Sequence, residues 1–179
     1  HTHALVLRKW GMSPLPGARL TVINPGPTAP YSGMLPGSVA GHYSRDELDI
    51  DLVRLARFAG ARVIMAKATG IDREAKLIYV TGRTPIAYDI ASIDVGIHSD
   101  MSEILGFTAH AVPVKPLEML SQHWPTYLNQ VRGTTNLAVI GGGVAGVEIA
   151  LAMMHALQSK DVKATLNLIE AGEILGSVA

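Results

Sequence analysis

Apolar positions in this chain come in short blocks cut by proline and glycine, and the spacing within each block selects an element. Residues 4–12 have helical spacing, with Leu5, Leu7 and Trp10 among polar partners, until Pro14 and Pro16 stop them. Residues 18–24 read as a strand closed by Pro25-Gly26-Pro27. Residues 25–41, rich in Pro and Gly, are expected to form a long loop, and loops of that length are usually functional or disordered. Ser44-Arg45-Asp46-Glu47 has the form of a capping box. It predicts a helix with Leu52, Leu55 and Ala56 on one face, ending at Gly60. A strand over 62–68 and a hairpin of 77–81 with 86–93 follow, leading to Asp94-Val95-Gly96. Pro113-Val114-Lys115-Pro116 reads as a linker and 117–131 as a helix. The β-branched strand 137–140 then runs into a glycine-rich turn and a second helix, and a further strand over 164–169 ends in Glu170. Strand, helix and strand in that order predict an α/β fold.

The glycine-rich turn carries the most chemistry. Gly141-x-Gly143-x-x-Gly146 lies between a strand and a helix, the context in which this spacing marks a dinucleotide-binding loop. Gly141 permits the tight turn, Gly143 lets a pyrophosphate approach the backbone, and Gly146 lets the helix pack on the strand. The helix start, with Val144 and Ala145, offers unpaired N–H groups and a partial positive charge to phosphates. Glu170, 24 residues beyond Gly146, can accept hydrogen bonds from a ribose diol and would repel a 2′-phosphate, which favours NAD(H). The alternative is a glycine-rich turn in some other α/β protein.

Composition narrows the class. The chain has 179 residues, 48% hydrophobic, with 15 basic and 15 acidic side chains and a formal net charge of zero. No run of Lys or Arg points to nucleic acid, and 5% aromatic residues leave little for base stacking. Apolar stretches are broken well before the roughly 20 residues of a membrane span. No cysteine is present, so disulfides, thiolate metal sites and Cys-x-x-Cys redox pairs are excluded within these residues. His42, His98, His110, His123 and His155 show no metal-ligand spacing and read as surface or capping residues. The acids Asp46, Glu47, Asp49 and Asp51 fall where a helix start is expected. The first residues read as a helix without its preceding strand, and the last follow directly on a second strand. The chain is therefore expected to be part of a longer protein that supplies the remaining sheet.

Taken together, these blocks resemble the flavin-dependent pyridine nucleotide oxidoreductases, in which an NAD domain is inserted into an FAD domain. The resemblance covers essentially the whole chain in order: 1–113 as a partial FAD-binding domain, 114–132 as linker and connecting helix, 133–179 as the start of an NAD(H)-binding domain. It implies a Rossmann-like FAD/NAD(P)-binding α/β fold. Tyr31-Ser32-Gly33-Met34-Leu35-Pro36-Gly37, residues 41–52 and Ser92-Ile93-Asp94-Val95-Gly96 are most similar to type II NADH dehydrogenase-like proteins. They are closest to the segment fused to selenide, water dikinase (selenophosphate synthetase).

The resemblance implies specific contacts. Asn24, with Pro25 after it, stands where the family usually places a ribose-binding acid. Tyr31, Met34, Leu35 and Pro36 match the loop passing the flavin ring, with packing on the core as the alternative for Met34 and Leu35. Ala68 matches a strand end whose backbone meets adenine, and Gly96 a glycine near the flavin pyrophosphate, with Asp94 and Val95 replacing the usual Ala-Thr. His3 replaces the third glycine of the first fingerprint. Gly141, Gly143, Gly146 and Glu170 carry over to NAD(H). Glu148 has two readings, a group near the nicotinamide or flavin edge, or a first-turn acid stabilising its helix. The implied activity is hydride transfer from NADH to FAD and on to a quinone or other acceptor, with no catalytic side chain required. The alternative is a non-catalytic nucleotide-binding module attached to another enzyme such as selenophosphate synthetase. The implied location is cytoplasmic, with any peripheral attachment to the inner face of a membrane made by residues outside this chain. The chain alone is expected to be inactive, and exposed apolar sheet edges to favour a homodimer.

Overall fold

The protein is described by a computed structural model covering residues 1–99, 101 and 103–176. The final residues of the expected NAD(H)-binding segment, 177–179, lie outside the described residues. In chain order the first elements are α1 (Thr2–Met12), β1 (Thr21–Asn24), β2 (Thr28–Pro30), α2 (Leu35–Ala40), β3 (Asp49–Asp51), α3 (Leu52–Ala59) and β4 (Arg62–Met65). Then come β5 (Ala68–Asp72), β6 (Leu77–Val80), β7 (Ile86–Ala87), α4 (Phe107–His110), α5 (Leu117–Gln130), β8 (Thr134–Ile140), α6 (Val144–Gln158) and β9 (Lys163–Ile169). They group into two compact units.

The first unit joins His1–Pro30 to Asp49–Val95. β1 and β4 pair in parallel with Thr21 opposite Arg62 and Asn24 opposite Met65. Parallel strands need a crossover, and α3 lies within it. α1 packs on α3 through Ala4, Leu7, Leu52, Ala56 and Ala59, all buried. Leu7 has no exposed surface, a burial that contributes roughly 1.5–3 kcal/mol. β5, β6 and β7 form an antiparallel meander rather than the expected two-stranded hairpin.

Two sequence expectations change here. The stretch 25–41 is not irregular: it holds β2, a 3₁₀ turn at Ser32–Met34 and α2. The helix expected from Ser44 begins only at Leu52. Glu47 does reach back to the Ser44 amide at 2.8 Å, but the turn it closes is a short 3₁₀ helix, Asp46–Leu48. The chain then extends through β3, and Asp51 accepts from the Arg54 amide at 2.8 Å to cap α3. A capping contact fixes a first turn, and the following residues decide whether it propagates.

The second unit contains Tyr31–Leu48 and the chain from Gly96 onward. Its parallel pair β8–β9 runs from Thr134 opposite Lys163 to Ile140 opposite Ile169, with α6 as the crossover. Burial alternates along both strands, so one face is covered and the other is not. α2, α5 and α6 pack around Leu35, Val39, Leu120, Trp124, Ile149 and Leu157. The indole Nε1 of Trp124 donates to the Val39 carbonyl at 2.8 Å in that core, which satisfies a group otherwise costly to bury.

Candidate functional site

The register of β8 and β9 builds the site. Because Ile140 and Ile169 are paired, the strands end level and release the glycine loop and Glu170 side by side. The Gly141 amide still donates to the Ile169 carbonyl at 2.9 Å. Gly141 then turns with φ +110°, a conformation closed to side-chain-bearing residues. Gly146 is needed for proximity. A Cβ there would lie 2.9 Å from the Gly141 carbonyl carbon and closer still to its oxygen.

Gly143 is glycine for a different reason. It caps α6 with φ −71° and ψ 178°, which any residue can adopt, and a Cβ there would meet no atom within 4 Å. Among the described residues nothing demands a glycine, and the space a side chain would fill is open. The amides of Val144, Ala145 and Gly146 have no intrahelical acceptors, as at every helix start. An open cradle, free amides and the positive end of a 15-residue helix suit a pyrophosphate. The residues present therefore fit an NAD(H) phosphate group.

Glu170 faces the loop with its carboxylate. One oxygen accepts from the Gly142 amide at 2.5 Å, and the other from the amides of Ala171 at 2.8 Å and Gly172 at 3.3 Å. These backbone donors, Gly142 first, hold its pKa below the usual carboxylate range. On the other side of the same peptide, the Gly142 carbonyl accepts from the Leu175 amide at 2.8 Å. Gly142 and the 171–172 amides carry no signal in a GxGxxG pattern. Only the level strand ends bring them to Glu170.

Elsewhere the picture is less favourable to a ligand. Asn24 ends β1 as expected, but its Nδ2 donates to the carbonyls of Gly26 and Thr28 at 2.8 and 3.1 Å, tying down the turn that holds Pro25. Ala68 opens β5 opposite Val80 and is not the end of β4, because the chain breaks its strand after Met65. Leu35 is 3% exposed in the core of the second unit, so the packing reading holds for it. Pro36 sits in the first turn of α2, where proline costs no hydrogen bond. Met34 is half-buried and Tyr31 exposed, with the Tyr31 amide donating to the Leu48 carbonyl. Gly96 lies in the irregular stretch after β7. Glu148 is the fifth residue of α6 and not in its first turn, so the helix-start reading of that acid is corrected.

Asp94, marked in the sequence only as a departure from the usual Ala-Thr-Gly, takes a defined position. Its carboxylate accepts the His3 amide at 3.0 Å at the start of α1. His3 Nε2 meets Ser92 Oγ at 3.0 Å. The His3 amide, first among the causes, holds the Asp94 pKa low. Two shallow depressions, about 330 and 600 Å³, lie around Val162 at the amino ends of β8 and β9, away from the glycine loop. Among the described residues there is no cluster of three potential metal ligands, and no helix is long and apolar enough to cross a membrane.

The two parallel βαβ arrangements make a Rossmann-like α/β fold. No family model and no curated protein matches the sequence. Among solved structures, the chain is similar to NDH2 from Plasmodium falciparum in complex with NADH, at TM-score 0.73 and 17% identity over 89% of this chain and 38% of that one. A NAD-dependent persulfide reductase from A. fulgidus gives TM-score 0.69 and 21% identity over 90% and 30%. The sulfide:quinone oxidoreductase from Aquifex aeolicus gives 0.65 and 17% over 93% and 41%. The chain thus spans about two fifths or less of these structures.

Proposed function

We propose that this chain holds NAD(H) at the Gly141–Gly146 loop and belongs to an NADH-dependent oxidoreductase of the flavin-linked kind. In the whole protein, hydride from NADH would pass to FAD and electrons onward to a quinone or another acceptor. The observation that carries the reading is Gly143, whose missing side chain leaves an open space in front of free helix amides. The similarity in fold to NADH- and NAD-dependent proteins supports it.

The residues' own tasks are positional. Val144, Ala145 and Gly146 amides would bind the pyrophosphate, and Glu170 would take the adenosine ribose, its charge disfavouring a 2′-phosphate. Glu170 already accepts three amide hydrogens, and a carboxylate offers about four acceptor sites. A ribose diol would therefore meet a carboxylate fixed in place, with its Gly142-bonded oxygen the less occupied one. By the same resemblance Pro25, Tyr31, Met34, Pro36 and Gly96 would lie along FAD in the whole protein. The resemblance would also give a partial FAD-binding domain over 1–113, a connecting segment over 114–132 and the start of an NAD(H)-binding domain over 133–179, in a homodimer of cytoplasmic location with peripheral membrane attachment.

A second reading, a non-catalytic nucleotide-binding module attached to another enzyme such as selenophosphate synthetase, is favoured by Asp94 and Asn24, which engage the protein itself. Titrating the full-length protein anaerobically with NADH separates the two. Flavin absorbance that bleaches supports the oxidoreductase. NADH binding to a colourless protein supports the module, and no NADH binding refutes both.

A further inference from the structure

Two imidazoles far apart in sequence meet at the carboxyl ends of α2 and α6. His42 follows Gly41, the left-handed residue that ends α2, and its amide donates to the Gly37 carbonyl at 2.8 Å, which fixes the backbone carrying the ring. His155 lies in the last turn of α6, where its carbonyl accepts from the Ser159 amide and hydroxyl at 3.0 and 2.9 Å. Leu35, Val39, Ile149, Ala152 and Ala156 of the same two helices are buried in one core cluster, so packing sets the separation of the rings. Their centroids are 5.2 Å apart and their planes inclined at 47°. Both residues are exposed, and among the described residues neither ring nitrogen takes part in a hydrogen bond. The rings of His3 and His123, by contrast, are engaged with Ser92 Oγ and the Met119 carbonyl.

We propose that His42 and His155 form a two-imidazole site for a divalent transition metal that prefers nitrogen ligands, zinc foremost. A neutral imidazole is the commonest protein ligand for such ions and binds through a ring nitrogen with a free lone pair. With zinc–nitrogen bonds of about 2.0–2.1 Å and a tetrahedral angle, one shared ion would hold two ring centroids about 5 Å apart. The rings already stand at that separation, so closing on an ion needs rotation about side-chain bonds and no movement of the helices. The carboxyl end of α6 adds a partial negative charge, which favours a cation. Among the described residues no third His, Cys, Asp or Glu joins the pair, and the exposed position lets water complete the coordination. The bound ion would tie α2 to α6. It would sit at the far end of α6 from Gly143, so the proposal is independent of the NAD(H) reading. No spacing in the sequence announces the pair, because only the packing of α2 on α6 makes it.

The test titrates the full-length protein with zinc ion alone at about pH 8, above the ordinary histidine range, following binding by calorimetry and the histidine ring resonances by NMR. Zinc is expected to shift the His42 and His155 resonances together, before those of any other histidine. It should also raise the thermal unfolding midpoint, since an ion bound only by the folded state stabilises it. His42→Gln and His155→Gln should each weaken binding at least as much as losing an outer-sphere partner does, about tenfold or more, and should abolish the rise in midpoint. Both side chains are exposed, so the circular dichroism of each variant without zinc should match wild type. No zinc binding, resonances of other histidines shifting ahead of these two, or wild-type zinc affinity in either variant would each overturn the proposal.

Discussion

Substituting Gly146 and Gly143 separately by alanine divides what the loop does for the fold from what it does for a ligand. Gly146→Ala places a methyl in helix α6, where propensity alone favours alanine over glycine by about 1 kcal/mol. That methyl would sit 2.9 Å from the Gly141 carbonyl carbon and nearer to its oxygen, with Val139 Cγ1 at 3.8 Å behind. The clashing partner is backbone held at φ +110°, so it cannot swing aside as a side chain can. Overpacking of this kind costs typically about 1–3 kcal/mol, and a rigid partner puts it near the upper end. Subtracting the propensity gain leaves Gly146→Ala destabilised by about 2 kcal/mol. Gly143→Ala meets nothing within 4 Å, and its backbone is ordinary. Its fold stability is expected to stay equal or rise by up to about 1 kcal/mol, since alanine restricts the unfolded chain. Its NADH affinity should fall by about tenfold or more, equivalent to about 1.4 kcal/mol. Urea unfolding in a Trp10→Phe background follows the second unit through Trp124, since the chain has two tryptophans, and NADH fluorescence titration reports binding on the same samples. A Gly146→Ala midpoint at or above wild type would refute the close-approach argument. Wild-type NADH affinity in Gly143→Ala would refute the placement of the phosphate.

Other consequences follow from single contacts. Glu170 has a folded pKa below its unfolded one, so its hold on the Gly142 amide is complete above the ordinary glutamate range and is lost as pH falls through the lower folded value. Following the Gly142 amide resonance between about pH 7 and 2 should reveal that transition below the usual value of about 4.3, and Glu170→Gln should abolish it. A transition at the unperturbed value would contradict the three amide bonds. Asp51→Ala removes the cap of α3 and is expected to cost about 0.5–2 kcal/mol by urea unfolding, with NADH affinity unaltered. Trp124→Phe leaves the Val39 carbonyl without its donor in the core and should cost about 1–3 kcal/mol, read by far-ultraviolet circular dichroism. Stability equal to wild type would mean that the indole bond is dispensable.

The glycine loop and its flanking strands were legible because each glycine answers a local need. Strand 137–140 and the helix after it required no knowledge of distant residues. Spacing also located Glu170, although the reason it works is the register between β8 and β9, which spacing only samples. The elements within 25–41 are hidden from a pattern reading because Pro and Gly can mark the ends of an element as well as its absence. Pro36 sits in a first helical turn, and Gly41 ends that helix at φ +90°, so both punctuate an element instead of abolishing it. The capping box at Ser44 formed its contact and still did not start the expected helix. Asp51, seven residues later, offered a second cap adjacent to Leu52, Leu55 and Ala56, whose burial against α1 decides where the helix lies. The break between β4 and β5, which puts Ala68 at the start of a new strand, carries no marker in Met65-Ala66-Lys67.

The contrast between α1 and α6 explains why a fingerprint reads more securely at one helix than at the other. Glycines determine whether backbone can approach a ligand, and they lie within the motif itself. Whether the helix amides are free depends on any carboxylate the fold delivers from elsewhere, and that residue has no fixed spacing. At α6 the delivered acid, Glu170, lands on Gly142 and leaves the first-turn amides exposed to the open space before Gly143. At α1 the delivered acid, Asp94, lands on the His3 amide itself. Both acids are single carboxylates accepting backbone hydrogens, one beside the glycine loop and one at the first turn of α1. Any dinucleotide assignment at a helix start therefore requires naming the acceptors its amides already have, and no spacing rule within the motif supplies them.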